Sequence, residues 1–103
     1  MNERVRQLEQ MLAKEPNDTF LLYGLGMEFK KSNDSKRALE YFQRVIDLDR
    51  GYCYAYYQKG LIYESLDYVE SARKVYREGI EAARQKGDAH ARQELEGALM
   101  LIE

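Results

Sequence analysis

The stretch "LLYGLGMEF" (residues 21–29) has the spacing of one helix stripe, and the chain writes it again 34 residues later. There, "YYQKGLIY" (residues 56–63) puts Tyr57 in the place of Tyr23, Gly60 for Gly26 and Tyr63 for Phe29. A glycine inside a helix is about 1 kcal/mol worse than alanine, so two of them at one register need a packing reason. The same shift lays Ala38 on Ala72, Phe42 on Tyr76, Ile46 on Ile80 and Arg50 on Arg84. A fixed period of this length marks an array of helical repeats. Gly26 and Gly60 then allow two helices to approach where a side chain would block them. Ala38 and Ala72 do the same from the facing helix, and the aromatic at each site fills the space beside them.

Outward from these stretches the apolar period stays helical. Val5, Leu8 and Leu12 share a face, with Met11 at its edge. Ala91, Leu95, Ala98, Leu99 and Ile102 close the series. The breaker clusters "EPND", "SNDS", "DRG", "LD" and "KGD" divide the chain into six helices, near 2–14, 18–31, 35–48, 52–65, 69–85 and 88–102. Each cluster offers an Asp or Asn to cap the next helix. Asp67 and Glu70 have capping-box spacing, and Asp88 stands ready to hold the first-turn N–H groups of "AHAR".

At 103 residues the chain fits one small domain. Its net charge of −2, from 16 Lys+Arg and 18 Asp+Glu, comes with interspersed signs. That pattern argues against nucleic acid, which wants a basic excess or stripe. One cysteine, Cys53, excludes an internal disulfide. "MNERVRQLEQ" has no apolar core of a secretory signal, and no apolar run nears the ~20 residues of a membrane span, so a cytoplasmic protein without membrane contact is expected.

Catalytic and metal chemistry find no constellation. Cys53 has no base beside it, and the only histidine, His90, lies 37 residues on. A buried small hydrophobe or a half-exposed thiol near a helix start is expected for Cys53. His90 and Glu94 are four apart, but two ligands make no metal site, and a solvated pair is expected. No phosphate loop and no dinucleotide fingerprint is present. A non-enzymatic chain without cofactor or metal follows.

With these residues in hand, the chain resembles the tetratricopeptide repeat (TPR) family, whose pattern is W-x2-L-G-x2-Y…A-x3-F…P. Leu22 takes the Trp place, followed by Leu25, Gly26 and Phe29, then Ala38 and Phe42. One period on, Tyr56, Gly60, Tyr63, Ala72 and Tyr76 do the same, and Pro16 falls on the repeat-ending proline. Lys59 departs from the Leu of the pattern, Arg50 and Arg84 from its Pro, and Gly79 from a usual Ala. The resemblance implies an all-α right-handed superhelix of antiparallel helix hairpins. It divides a single TPR-like domain into a half-repeat helix at 1–16, repeats at 19–52 and 53–86, and a C-terminal capping helix at 87–103. A pentatricopeptide RNA binder has a similar helix pair, but the net charge speaks against it.

The resemblance further implies that the first helix of each repeat lines a concave groove. Its inward positions map to Phe20, Tyr23, Met27, Lys30 and Lys31, then to Tyr54, Tyr57, Leu61, Glu64 and Ser65. Tyr56 points to the core instead, and Tyr52 packs as a staple at the helix start. Two readings of this aromatic groove stay open. In one it takes a peptide or helix of a protein partner. In the other it is covered by the chain's own last helix, through Ala91 and Leu95, or by a second copy of a self-associating unit. The Lys, Asn and Arg of chaperone-tail TPR domains are missing at positions held here by Tyr23, Met27, Tyr57 and Leu61, so that role is not expected.

Overall fold

The computed structural model describes residues 2–103. Six helices follow in order: α1 (Glu3–Lys14), α2 (Thr19–Lys31), α3 (Ser35–Leu48), α4 (Cys53–Ser65), α5 (Val69–Lys86) and α6 (Ala89–Ile102). No strand occurs among the described residues. The helices gather into two compact units, the first ending at Asp49 and the second starting at Arg50.

In the first unit the expected stripes are the core. Val5, Leu8 and Leu12 of α1 are buried with Leu21, Leu22, Leu25 and Phe29 of α2 and Ala38, Phe42, Val45 and Ile46 of α3. Each large side chain among them gives about 1.5–3 kcal/mol for leaving water. The α2–α3 hairpin closes on glycine: a Cβ at Gly26 would stand 2.7 Å from Phe42 Cε1. No side chain tolerates that distance, so the ring occupies the space a residue larger than glycine would need. The Asn2 amide ties α1 to α2 by donating to Glu28 Oε1 at 3.1 Å.

The second unit repeats the device. A Cβ at Gly60 of α4 would stand 2.1 Å from Tyr76 Cε1 of α5. Tyr56 is buried and donates its hydroxyl to the Arg50 carbonyl at 2.8 Å, which satisfies the one polar atom of that ring. Gly79, out of place by the repeat pattern, has its reason here. A Cβ on it would stand 2.8 Å from Tyr56 Cβ and 3.1 Å from both Leu95 methyls. Close packing of α4 and α6 on α5 thus offsets the weak helix propensity of glycine.

The helix ends show which cap signals are used. Asn2, Asp18, Asp34 and Asp88 accept first-turn N–H groups of α1, α2, α3 and α6. As caps they lie just outside the helices, so α1, α2 and α6 start one residue later than the spacing predicts. The caps expected from "DRG" and "LD" are not made: Tyr52 and Tyr68 precede α4 and α5, with no side-chain cap bond. Asp49 is instead the C-terminal cap residue of α3, and Asp67 has a left-handed backbone with φ 62°. The cap positions of α4 and α5 fall instead on Tyr52 and Tyr68, whose side chains are not suited to accept first-turn N–H groups. Glu70, the other half of the expected capping box, pairs with Arg73.

Asp67 has a twin 34 residues earlier, since Asn33 also has φ 62°. In both turns the following N–H reaches back five residues, Asp34 to the Phe29 carbonyl at 2.9 Å and Tyr68 to Tyr63 at 2.8 Å. Gly87, with φ 78°, closes α5 the same way, through Asp88 to Ala83 at 2.9 Å. These are Schellman-type ends, which need a left-handed residue after the helix.

Candidate functional site

In the first unit, α2 carries the predicted residues Phe20, Tyr23, Met27, Lys30 and Lys31. Phe20 is 71% exposed. It sits in the first turn of α2, where Asp18 holds its backbone N–H at 2.9 Å. Tyr23 is half-buried, its ring edge-on to Phe42 at 5.3 Å. Met27 and Lys30 are half-buried one and two turns on. Burial lowers the Lys30 pKa from its ordinary value, because an ammonium partly out of water is less readily kept charged. Lys31 is exposed, with its Nζ 3.7 Å from Glu28.

In the second unit, α4 presents Tyr54, Tyr57, Leu61 and Glu64, all half-buried. The rings of Tyr54 and Tyr57 meet edge to face at 6.3 Å, and Tyr57 lies 6.3 Å from Tyr76. The hydroxyl of Tyr54 donates to Glu94 Oε1 of α6 at 2.7 Å. The same oxygen stands 2.8 Å from His90 Nε2. At the other end the Tyr76 hydroxyl donates to Glu64. The hydrogen bond to Glu94 is the chief reason the Tyr54 phenol is pushed up to about 12, with the charges of Glu94 and Asp88 adding to it. Burial first, then Glu64, raises the Tyr76 phenol as well.

Two members of this face are not in the predicted set. Tyr76 reads from its A-x3-F place as a core ring, and its hydroxyl is what brings Glu64 in. Glu94 reads only as the neighbour of His90; its reach to Tyr54 depends on how α6 packs.

That packing also bears on the groove. Ala91 and Leu95, the residues expected to cover it, are buried, but the Leu95 methyls lie against Gly79 of α5. The apolar stripe of α6 is spent on α5, and α6 meets the α4 face at its rim through Glu94. Ala91 and Leu95 are buried like Tyr56 and Gly60, 35 residues earlier, and unlike half-buried Tyr57 and Leu61, 34 residues earlier, so the burial register of α6 slips one residue from the 34-residue period.

The other candidates of the sequence have plain environments. Cys53 is buried at the first position of α4, its thiol donating to the Gly51 carbonyl at 3.3 Å. The His90 side chain is 80% exposed. Among the described residues no group of three His, Cys, Asp or Glu is placed to hold a metal. No helix there is long and apolar enough to cross a membrane.

Each unit also bears a cleft lined by other residues. In the first unit Phe29, Arg37, Tyr41 and Arg44, with Glu9 and Glu40, line about 470 Å³. Phe29 and Tyr41 stack at 5.6 Å, with Arg37 over one ring and Arg44 over the other. One period on, Tyr63, Ser71, Lys74, Val75 and Glu78, joined by Lys59, line about 150 Å³. Two arginines against two glutamates leave the larger cleft without a preferred charge.

Known proteins match this architecture over most of its length. The sequence profile of the tetratricopeptide repeat matches residues 21–52 and 54–86. A TPR repeat-containing protein of Pseudomonas aeruginosa is 30% identical over 91 residues, 88% of this chain and 87% of that one. The solution structure of a tetratricopeptide repeat domain protein from Salinibacter ruber is 36% identical, with a TM-score of 0.80 over 85% of this chain and 89% of its own. A Bordetella parapertussis protein, BPP2914, is 25% identical, with a TM-score of 0.85 over 99% of this chain and 89% of its own. With two repeats matched, and the glycine–ring contact built alike in both hairpins, the chain belongs to the tetratricopeptide repeat family, an all-α solenoid fold.

Proposed function

We propose that this chain is a non-enzymatic protein-interaction module whose partner segment, a peptide or helix, lies on the inward faces of α2 and α4. Phe20, Tyr23, Met27, Lys30 and Lys31 make the contact in the first unit, and Tyr54, Tyr57, Leu61 and Glu64 in the second. In this reading residues 1–16 are a half-repeat, 19–52 and 53–86 are the two full repeats, and 87–103 are the cap. The module acts in the cytoplasm and needs no cofactor, metal, membrane or nucleic acid.

The family gives the general support, since TPR folds are generally interaction and scaffold modules rather than enzymes. The observation that carries the finer reading is the exposure of Phe20, 71%, in the first turn of a well-capped helix. An aromatic open to water on a capped helix contributes little to folding and is suited to be the anchor of an interface. The test is capture of a partner by wild type beside Phe20→Ala and Tyr57→Ala. Loss of the partner with an unchanged Phe20→Ala melt supports the reading. A partner held equally by all three chains removes it.

A second copy of the chain is the alternative partner. Met100 and Leu101 are 74% and 88% exposed at the end of α6, while Arg73 holds that end by donating to the Ile102 carbonyl at 3.0 Å. Sedimentation velocity over a concentration series decides it: one unchanging monomer peak rules out self-association.

A further inference from the structure

We infer that the α4 face of the second unit seats a cationic side chain, an Arg or Lys of the partner segment, against Tyr54 and Tyr57. This rests on the proposed interaction role and adds the chemistry of what is bound. The two rings are half-buried and held edge to face, so part of each meets solvent in a fixed geometry. A carboxylate stands at either end of this face: Glu94 accepts the Tyr54 hydroxyl at one, and Glu64 accepts the Tyr76 hydroxyl, beside Tyr57, at the other. A phenol that donates to a carboxylate holds more electron density in its ring, which strengthens its pull on a cation. Among the described residues Glu64 has no ion-pair partner, and Glu94 has only the exposed His90.

The choice of occupant follows from charge. An acidic side chain placed here has a carboxylate at either end of the face, Glu94 and Glu64. A wholly apolar segment would strip water from Glu64 and Glu94 and return nothing to their remaining lone pairs. A guanidinium or ammonium supplies both the donors and the opposite charge. The matching positions of the first unit lack this set: Lys30 stands for Glu64, Phe42 for Tyr76 and Phe20 for Tyr54. The acidic tyrosine face is therefore a property of the second repeat, not of the repeat plan.

The test uses three short amphipathic helical peptides of Leu, Ala and Gln that differ at one central residue: Arg, uncharged citrulline of the same shape, or Glu. Titrations into the full chain, by calorimetry and by the NMR ring signals of Tyr54 and Tyr57, measure each. The Arg peptide is expected to bind about tenfold tighter than the citrulline peptide, to move both ring signals, and to weaken with salt. The double variant Glu64→Gln/Glu94→Gln keeps oxygen acceptors for both phenols. It should remove most of the Arg peptide's advantage, leaving only the share due to the rings, and leave citrulline binding unchanged. Citrulline binding as tightly as Arg, or Glu binding tighter, overturns the inference while leaving the interaction role in place. If none of the three binds, and no partner is captured through the groove residues, both fall together.

Discussion

In the first hairpin the Phe42 ring lies 2.7 Å from where a Gly26 Cβ would stand; in the second, the Tyr76 ring lies 2.1 Å from the Gly60 equivalent. The contact is the same, ring on glycine, and so are the turns, each ended by a left-handed residue at position 33 or 67. The edges differ. Tyr76 adds a hydroxyl that donates to Glu64, where the first hairpin has Phe42 and Lys30. Asp34 caps α3, where Tyr68 leaves α5 without a side-chain cap. The close helix contact thus defines the repeat, and the polar groups around it are free to set the charge and local stability of each unit.

The glycine contact should break hardest. Gly60→Ala is expected to destabilise by about 3 kcal/mol, because the ring it strikes is close and tethered through its hydroxyl. Gly26→Ala, against an untethered Phe42 at the longer distance, should cost less, about 1.5 kcal/mol. Urea melts of the two variants give both numbers. Equal losses would mean that the tether adds nothing.

Tyr76→Phe makes the second hairpin like the first at its centre. It removes the bond to Glu64 and is expected to lose about 1.5 kcal/mol, the worth of a partly buried bond to a charged acceptor. Adding Glu64→Lys, the residue of the first hairpin, should recover part of that loss. No recovery would show that the two faces are not interchangeable.

The uncapped helix start is an expected gain. Tyr68 is 59% exposed, so Tyr68→Asp gives up little packing and offers α5 the cap that Asp34 gives α3. The expected gain is about 1 kcal/mol, and Asp34→Ala should lose about the same. Asp67→Gly should add about 0.5 kcal/mol by relieving a left-handed residue that bears a Cβ. Thermal melts with this rank order would confirm the accounting.

Why the fold was legible and the face was not can be seen in particular residues. Gly26, Gly60, Ala38 and Ala72 carry steric information that a 34-residue shift exposes at once. The inward aromatics of α4 are legible too, since a helix face follows from spacing alone. The Tyr54–Glu94 bond is not, because it joins helices 40 residues apart and depends on the one-residue slip of α6. The missing cap at α5 is hidden for a different reason. Asp67 has the composition of a cap, but the turn behind it needs a left-handed residue, and Asp is one of the few that tolerates that conformation.

Alkaline titration probes the smallest of the differences. The Tyr54 phenol is pushed up to about 12 in the folded chain, against 10 for an ordinary tyrosine. The folded state therefore holds this proton more tightly than the unfolded one. Below pH 10 both states keep it, and the contribution to stability is fully present. As pH rises from 10 to about 12 the unfolded chain ionises first, and the contribution drains away. Tyr76, raised by burial and by Glu64, acts with the same sign. Absorbance of tyrosinate at high pH should show a late phenol in the folded chain that is absent in Tyr54→Phe. The first unit, with phenylalanine at both matching positions, has no pair of this kind to lose. A Tyr54→Phe chain should therefore show a shallower fall of stability in this range, and an unchanged fall would detach Glu94 from Tyr54.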